Sequence, residues 1–96
     1  MADLLERRWT LSIIFVAVHG EQRFNVLLDS VPGISPRMLS ERLRDLEGAG
    51  LIERSVLPVS PPAVVYGLTA RGRKLAPLIE ALARYAAEAG SSVALA

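Results

Sequence analysis

A short amphipathic helix with well-marked ends is encoded between Ser35 and Gly50. Ser35 is a favoured N-cap residue, Pro36 occupies the first helical position, and Gly50 supplies the left-handed residue that commonly ends a helix. At about 100° per residue, three leucines fall on one stripe and three charged residues on the opposite face. The stripe contains Leu39, Leu43 and Leu46, and the opposite face contains Arg37, Glu41 and Arg44, with Met38 and Ser40 on the flanks.

Two further helices and an extended piece are predicted before this helix. Asp3 and Asn25 are suited to cap the two helices, and Gly20 and Gly33 provide their stop signals. The predicted order is a helix over residues 3–18, an extended piece at residues 23–24 and a brief helix from Asn25 to Leu28.

A hairpin and a final helix are predicted after Gly50. The pattern indicates a strand from Leu51 to Leu57, a turn over residues 58–62, a returning strand from Ala63 to Leu68 and a helix from Ala70 to about Ala89 capped by Thr69. Residues 91–96 are expected to be a flexible tail, which leaves one domain over residues 1–90. This order, mainly α with a small β hairpin (α+β), is that of a winged helix-turn-helix. In that fold the Ser35–Ala49 helix enters the major groove and the hairpin reaches the adjacent backbone or minor groove.

Composition limits the classes of protein to which the chain can belong. Its 96 residues suffice for one compact domain, and the 51% apolar content favours a packed core with some surface covered by a second copy. Cysteine is absent, so disulfides and thiolate metal sites are excluded from the chain. The apolar run from Leu11 to Val18 is too short to span a bilayer. We therefore expect a cytoplasmic protein without signal peptide or membrane anchor.

Four segments of the chain together resemble the HxlR-type winged helix-turn-helix regulators, which are relatives of the MarR group. The resemblance covers nearly the whole chain and implies a homodimeric transcription factor. The segments are Arg8 to Leu11, Arg23 to Leu28, Pro32 to Glu47 and Tyr66 to Gly72.

The sequence departs from this family at two places. Many members have a cysteine just before the first helix that senses electrophiles or oxidants, and this chain has none. Members often carry a basic residue after the paired prolines of the wing, where this chain has Ala63. Thiol sensing is therefore excluded for this chain, and contacts between the wing and phosphates are put in question.

The predicted partner is double-stranded DNA, contacted by the face of the Ser35–Ala49 helix that carries the arginines. Arginine can donate two hydrogen bonds to guanine, and glutamate can accept one from cytosine. The alternative is an ordinary solvated helix face with ion pairs. Arg42 lies nearer the apolar stripe and is expected to pair within the fold. Arg23 either clamps a phosphate or pairs with Glu21 or Asp29. The full set of candidate DNA contacts is Arg23, Ser35, Arg37, Met38, Ser40, Glu41, Arg44, Arg54 and Ser60.

The first and last helices are predicted to form the interface of a homodimer, because the apolar side of the last helix is large for so small a domain. The alternative is that the last helix folds back on its own core. The candidate interface residues are Leu4, Leu5, Leu75, Leu78, Ile79, Leu82 and Tyr85.

Other functions are left with less support. His19 has no cysteine or second histidine beside which to build a metal site, and no catalytic constellation is visible, so neither a cofactor nor an enzyme activity is predicted. A small apolar or aromatic effector between the first and last helices and constitutive binding without one both stay open. The second hypothesis is a protein–protein interaction module that has lost DNA binding, motivated by the net charge of +1 and the bare wing.

Overall fold

A computed structural model describes residues 2–88 as helices packed on a small antiparallel sheet. The predicted tail over residues 91–96 and the predicted helix end at Ala89 lie outside these residues. The elements are α1 (Ala2–Glu6), α2 (Thr10–Ala17), β1 (Gln22–Arg23), α3 (Phe24–Ser30), α4 (Pro36–Gly48), β2 (Ile52–Leu57), β3 (Ala63–Leu68), α5 (Ala70–Arg73) and α6 (Ala76–Glu88).

The sheet has the strand order β1-β3-β2 and is antiparallel throughout. β2 and β3 form the predicted hairpin, in which Ile52 lies opposite Leu68 and Leu57 opposite Ala63. The extended piece before α3 adds a short third strand, with Arg23 opposite Val65. The wing hairpin is thereby joined by backbone pairing to the chain that enters α3.

One apolar core lies between the helices and the base of the hairpin. The predicted leucine stripe of α4, residues from α2, α3 and α6, and the first residues of the hairpin contribute side chains that are almost completely removed from solvent. The largest of these are Ile13, Ile14, Leu27, Leu39, Leu43, Leu46, Leu51, Ile52 and Ile79. Among residues 2–88, no helix has the length and apolar character needed to cross a membrane.

The prediction of one continuous first helix is wrong, because this segment forms two helices, α1 and α2, separated at Trp9. Trp9 adopts a left-handed backbone conformation with φ of 77°, which interrupts the helical hydrogen bonding. The Arg42 guanidinium donates through Nε to the carbonyl oxygen of Arg8 at 3.0 Å. Contacts with a distant helix thus override the local helical pattern.

The predicted last helix is likewise split, into α5 and α6. Pro77 lies in the first turn of α6, where a backbone N–H would have no helical partner, so its absence costs nothing. In one continuous helix, the proline ring would clash with the carbonyl group four residues earlier. The predicted cap at Thr69 is confirmed, since its hydroxyl oxygen accepts from the Gly72 amide at 3.0 Å. The same hydroxyl donates to the Gly50 carbonyl oxygen, and the Thr69 amide donates to that of Leu51.

The start of α3 also differs from the prediction. Asn25 was expected to cap this helix, but Arg23 is the N-cap residue and Asn25 lies in the first turn. Gln22 and Arg23 are held in an extended conformation by pairing with β3. Arg23 is the last extended residue, and the helix begins at Phe24.

Candidate DNA-binding surface

Helices α3 and α4 form a helix-turn-helix whose turn contains Gly33. Gly33 has φ of 91°, a conformation that glycine adopts without a steric penalty. Val31 and Ile34 bury their side chains on either side of the turn and anchor it to the core. The predicted Ser35 cap is confirmed, because Ser35 Oγ accepts from the Met38 amide at 3.0 Å.

The C-terminal end of α4 is equally well defined. Gly50 has φ of 73°, its amide donates to the Glu47 carbonyl oxygen, and the Leu51 amide donates to that of Leu46. These two bonds form a Schellman motif, which satisfies carbonyl groups that would otherwise lack partners. Both ends of the helix are thus fixed by local sequence signals.

The outward face of α4 consists of Arg37, Glu41 and Arg44. Arg37 Nε lies 3.6 Å from Glu41 Oε1, and the Arg37 side chain is 91% exposed. Such surface ion pairs contribute only about 0–1 kcal/mol to the stability of a protein, so both side chains can leave this pair to contact another group. Arg44 is exposed and has no ion pair with any residue in the described part of the chain. Met38 and Ser40 flank this face and are partly buried.

Arg42 points away from this outward face, and the prediction that it pairs within the fold is confirmed. Its side chain is only 13% exposed, and Nη1 lies 2.9 Å from Asp45 Oδ2. It is therefore not available for a base contact in this conformation.

Arg23 and the wing loop face one another across a groove of about 540 Å³. The lining includes Arg23 and Asn25 on one side and Ser60 with its neighbouring prolines on the other. Within residues 2–88, Arg23 forms no ion pair with Glu21 or Asp29, so the predicted alternative to a phosphate contact is wrong. Glu21 instead accepts a hydrogen bond from Ser55 Oγ at 3.2 Å. Arg23 is thus exposed at the rim of a groove whose other wall is the wing.

The wing itself carries no charged side chain from Ser55 to Val65. Val56 and Val59 are 56% and 48% exposed. Arg54 is exposed on β2 opposite Tyr66, nearer the base of the hairpin than its tip. The exposed candidate arginines therefore lie on α4, on β1 and near the base of β2, and not at the tip of the wing.

The apolar side of α6 is only partly buried against the core of the chain. Leu78 and Tyr85 are 52% and 67% exposed, and Leu82 between them is partly buried. These three residues, called the α6 apolar face below, recur at helical spacing. Leu4, Leu5 and Leu75 are also partly buried and pack against the core. Ile79 is completely buried within the protomer, so it is a core residue and not a candidate for contact with a second copy.

Sequence reasoning missed a polar cluster that joins the α1–α2 connection to α4. Arg7 Nη1 lies 3.2 Å from Asp45 Oδ2, the oxygen that also receives Arg42. The spacing of Arg42 and Asp45 on one helix was a visible signal for one ion pair. Arg7 is 38 residues from Asp45 in sequence, and no local pattern links them.

Comparison with known proteins places this arrangement in a family. The model of the HxlR-like helix-turn-helix family matches residues 4–93. The HTH-type transcriptional regulator YvaP of Bacillus subtilis is 40% identical over 86 residues, which cover 90% of this chain and 80% of YvaP. The HTH-type transcriptional regulator YodB of the same organism is 39% identical over 84 residues, covering 88% of this chain and 75% of YodB.

Solved structures agree with the sequence comparison and confirm the predicted winged helix-turn-helix fold. The reduced form of YodB superposes with a TM-score of 0.79 at 39% identity, covering 88% of this chain and 83% of that chain. The redox regulator HypR in its oxidised form gives a TM-score of 0.83 at 32% identity, covering 90% of this chain and 89% of that chain. The chain therefore belongs to the HxlR-like helix-turn-helix family of transcriptional regulators.

Proposed function

We propose that this regulator binds a specific palindromic site in double-stranded DNA as a homodimer. The observation that carries the proposal is the outward face of α4, where Arg37 and Arg44 extend from a rigidly capped helix that follows a helix-turn-helix turn. A helix at this position of the fold is the element that enters the major groove.

The side chains on this face have the chemistry needed to distinguish base pairs. Arg37 and Arg44 can each donate two hydrogen bonds to O6 and N7 of guanine, and Glu41 can accept from N4 of cytosine. Met38 and Ser40 lie at the flanks, where a thioether can contact a thymine methyl group and a hydroxyl can bond to a base or a phosphate. Base readout in this proposal comes from α4.

Contacts to the DNA backbone are assigned to residues around α4. The exposed guanidinium groups of Arg23 and Arg54 suit phosphates on either side of the wing. Ser35 lies at the N-terminus of α4, where backbone amides favour an anion. Ser60 in the wing loop adds a hydroxyl across the groove from Arg23. These contacts fix the position of the protein on DNA and do not select the sequence.

The dimer is proposed to form through the α6 apolar face together with Leu4, Leu5 and Leu75. On α6, a single protomer leaves Leu78 and Tyr85 exposed. A two-fold axis through this region would present two α4 helices about 34 Å apart, one turn of DNA. Binding to chromosomal DNA would place the protein in the cytoplasm of a bacterial cell.

Control of DNA binding is proposed to be independent of thiol chemistry. HypR is described as a redox regulator, but the 96 residues of this chain contain no cysteine. Oxidation to a disulfide or a sulfenic acid is therefore not available to these residues. The small apolar or aromatic effector remains a prediction.

The direct test is selection of bound duplexes from a random pool, with the mass of the protein in solution measured at the same salt concentration. We expect an enriched palindrome and a dimeric mass. The matched control is the double variant Arg37→Ala with Arg44→Ala, which should enrich no palindrome while it retains its fold and dimeric mass. If the parent protein enriches nothing at low salt, DNA binding is refuted, and the uncharged wing then favours the interaction module.

A further inference from the structure

The connection between α1 and α2 is bound to α4 by a cluster of three charged side chains. Asp45 Oδ2 receives Arg42 at 2.9 Å from the same helix and Arg7 at 3.2 Å from the connection. Arg42 also donates through Nε to the Arg8 carbonyl oxygen at 3.0 Å. The cluster is thus attached to the connection at two points, one side chain and one backbone carbonyl.

An aromatic contact links the same connection to the helix-turn-helix turn. A Cβ atom built on Gly33 would lie 3.3 Å from Trp9 Cη2, so the indole lies directly against the turn. The Arg8 guanidinium lies over the Trp9 ring, 4.4 Å from its centre. The left-handed backbone of Trp9 is unusual for a residue other than glycine and is retained where surrounding contacts hold it.

The cluster joins two parts of the molecule with different proposed roles. α1 carries Leu4 and Leu5, which are assigned to the dimer interface, while α4 is assigned to the major groove. Within α4, Asp45 holds the Arg42 side chain that binds the Arg8 carbonyl. Arg42 is 13% exposed and Asp45 33% exposed, so this pair is less screened by water than that of Arg37 and Glu41.

We infer that Arg7, Arg42 and Asp45 are positioning residues that fix α4 relative to the dimer interface, and so set the spacing between the two half-sites that the dimer accepts. This inference rests on the proposed dimeric DNA-binding function. In this inference the three residues contact no base of the DNA. They act by holding the recognition helix at one angle and distance from the helix that meets the second protomer.

The first experiment needs no DNA and uses the absence of cysteine. Gly48 is the last residue of α4, and a Cβ at this position would meet no atom within 4 Å. A spin label on Gly48→Cys would therefore report the distance between the two α4 helices of a dimer by electron–electron dipolar spectroscopy. We expect one narrow distance distribution, which broadens in Asp45→Ala and in Arg7→Ala. Glu47→Ala, which removes a carboxylate from the same helix outside the cluster, is the control and should leave the distribution narrow.

The second experiment measures affinity for the selected palindrome and for versions with one base pair added or removed between the half-sites. Asp45→Ala should reduce discrimination among these spacings by roughly 2- to 30-fold, the range for one residue in a coupling network. Base preference within each half-site should stay as in the parent. Arg44→Ala should show the reverse pattern, with altered base preference and unchanged spacing preference.

The outcomes of the two experiments distinguish failure of this inference from failure of the proposed function. A narrow distance distribution and unchanged spacing discrimination in a folded Asp45→Ala dimer would overturn the positioning role and leave the regulator intact. No dipolar coupling in the parent would refute the dimer, and the inference with it. Arg7→Ala guards against misfolding of Asp45→Ala, because Arg7 is 54% exposed and its removal leaves the Arg42–Asp45 pair in place.

Discussion

Gly72 packs so closely against Leu51 that a Cβ built on the glycine would stand 2.1 Å from the Leu51 carbonyl oxygen. Real Cβ atoms do not approach this near, and the obstacle is backbone that cannot rotate away. We expect Gly72→Ala to lower the free energy of unfolding by at least about 2 kcal/mol, as overpacking at a rigid contact does.

Denaturant unfolding measures this change, and Gly48→Ala is the matched control. Gly48 lies in a helix with open space around it, so alanine there should raise the free energy of unfolding by up to about 1 kcal/mol. Equal effects of the two substitutions would contradict the close packing of Gly72.

Ser35 combines a structural role with a proposed phosphate contact, and two substitutions separate them. Ser35→Ala removes the cap and should cost about 1 kcal/mol of stability. Ser35→Asp keeps a capping oxygen but adds negative charge where a phosphate is proposed to lie. We therefore expect Ser35→Asp to be as stable as the parent in thermal unfolding and weaker in DNA binding. Unchanged DNA affinity would remove Ser35 from the interface.

Arg44→Ala should weaken binding to the selected operator by about 1–3 kcal/mol per half-site and relax the choice of base at one position in each. The reason is that an exposed, unpaired guanidinium on α4 is proposed to donate to a guanine. Competition binding against single-base operator variants measures both effects. Arg84→Ala on α6 is the control. An equal loss of affinity for all operator variants would indicate that Arg44 contacts a phosphate and not a base.

Arg23→Ala should reduce the dependence of binding on salt. With Arg23 and Arg54 each neutralising one phosphate in both protomers, the logarithm of the binding constant should fall with the logarithm of salt concentration with a slope of about −4. Loss of one phosphate contact per protomer makes this slope shallower by about 2. Titrations at several salt concentrations provide the measurement. A slope equal to that of the parent would show that Arg23 does not meet a phosphate.

Leu78→Asp combined with Tyr85→Asp should dissociate the proposed dimer. An uncompensated buried carboxylate costs about 3–5 kcal/mol, so the Kd for dimerisation should rise by roughly 100-fold or more. Light scattering over a range of concentrations measures the mass. Arg84→Asp places the same group on the other side of α6 and should leave the mass unchanged. A dimer that survives the double substitution would place the interface elsewhere.

Elements whose ends are marked by neighbouring residues could be predicted from sequence. The bounds of α4 follow from Ser35, Pro36 and Gly50, each of which acts through its own backbone geometry. The leucine stripe fixed which side of α4 is buried, and the outward arginine face followed directly. Local propensity, capping and burial agree at this helix, which is the condition under which sequence reasoning succeeds.

Features set by distant contacts could not be predicted in this way. Trp9 is left-handed where Gly33 packs against its ring and Arg42 binds the neighbouring Arg8 carbonyl, and these two residues belong to a later turn and a later helix. Pro77 was a visible signal for the break before α6, and its position in the first turn explains the break. Ile79 was assigned to the interface because its helix is apolar on one side. Only the packed structure shows that Ile79 faces the core while Leu78 faces outward.

The junction formed by Gly50, Leu51 and Thr69 ties the base of the wing to the end of α4. Two hydrogen bonds from Thr69 cross this junction, and β1 extends the same sheet to Arg23. The wing, α4 and Arg23 are therefore joined into one rigid surface, which in the proposed complex would face a half-site. A rigid surface cannot adapt to a groove of different width, so mismatch must be absorbed by the DNA. We expect flexible pyrimidine–purine steps between the half-sites to favour binding, although the proposed contacts do not include them.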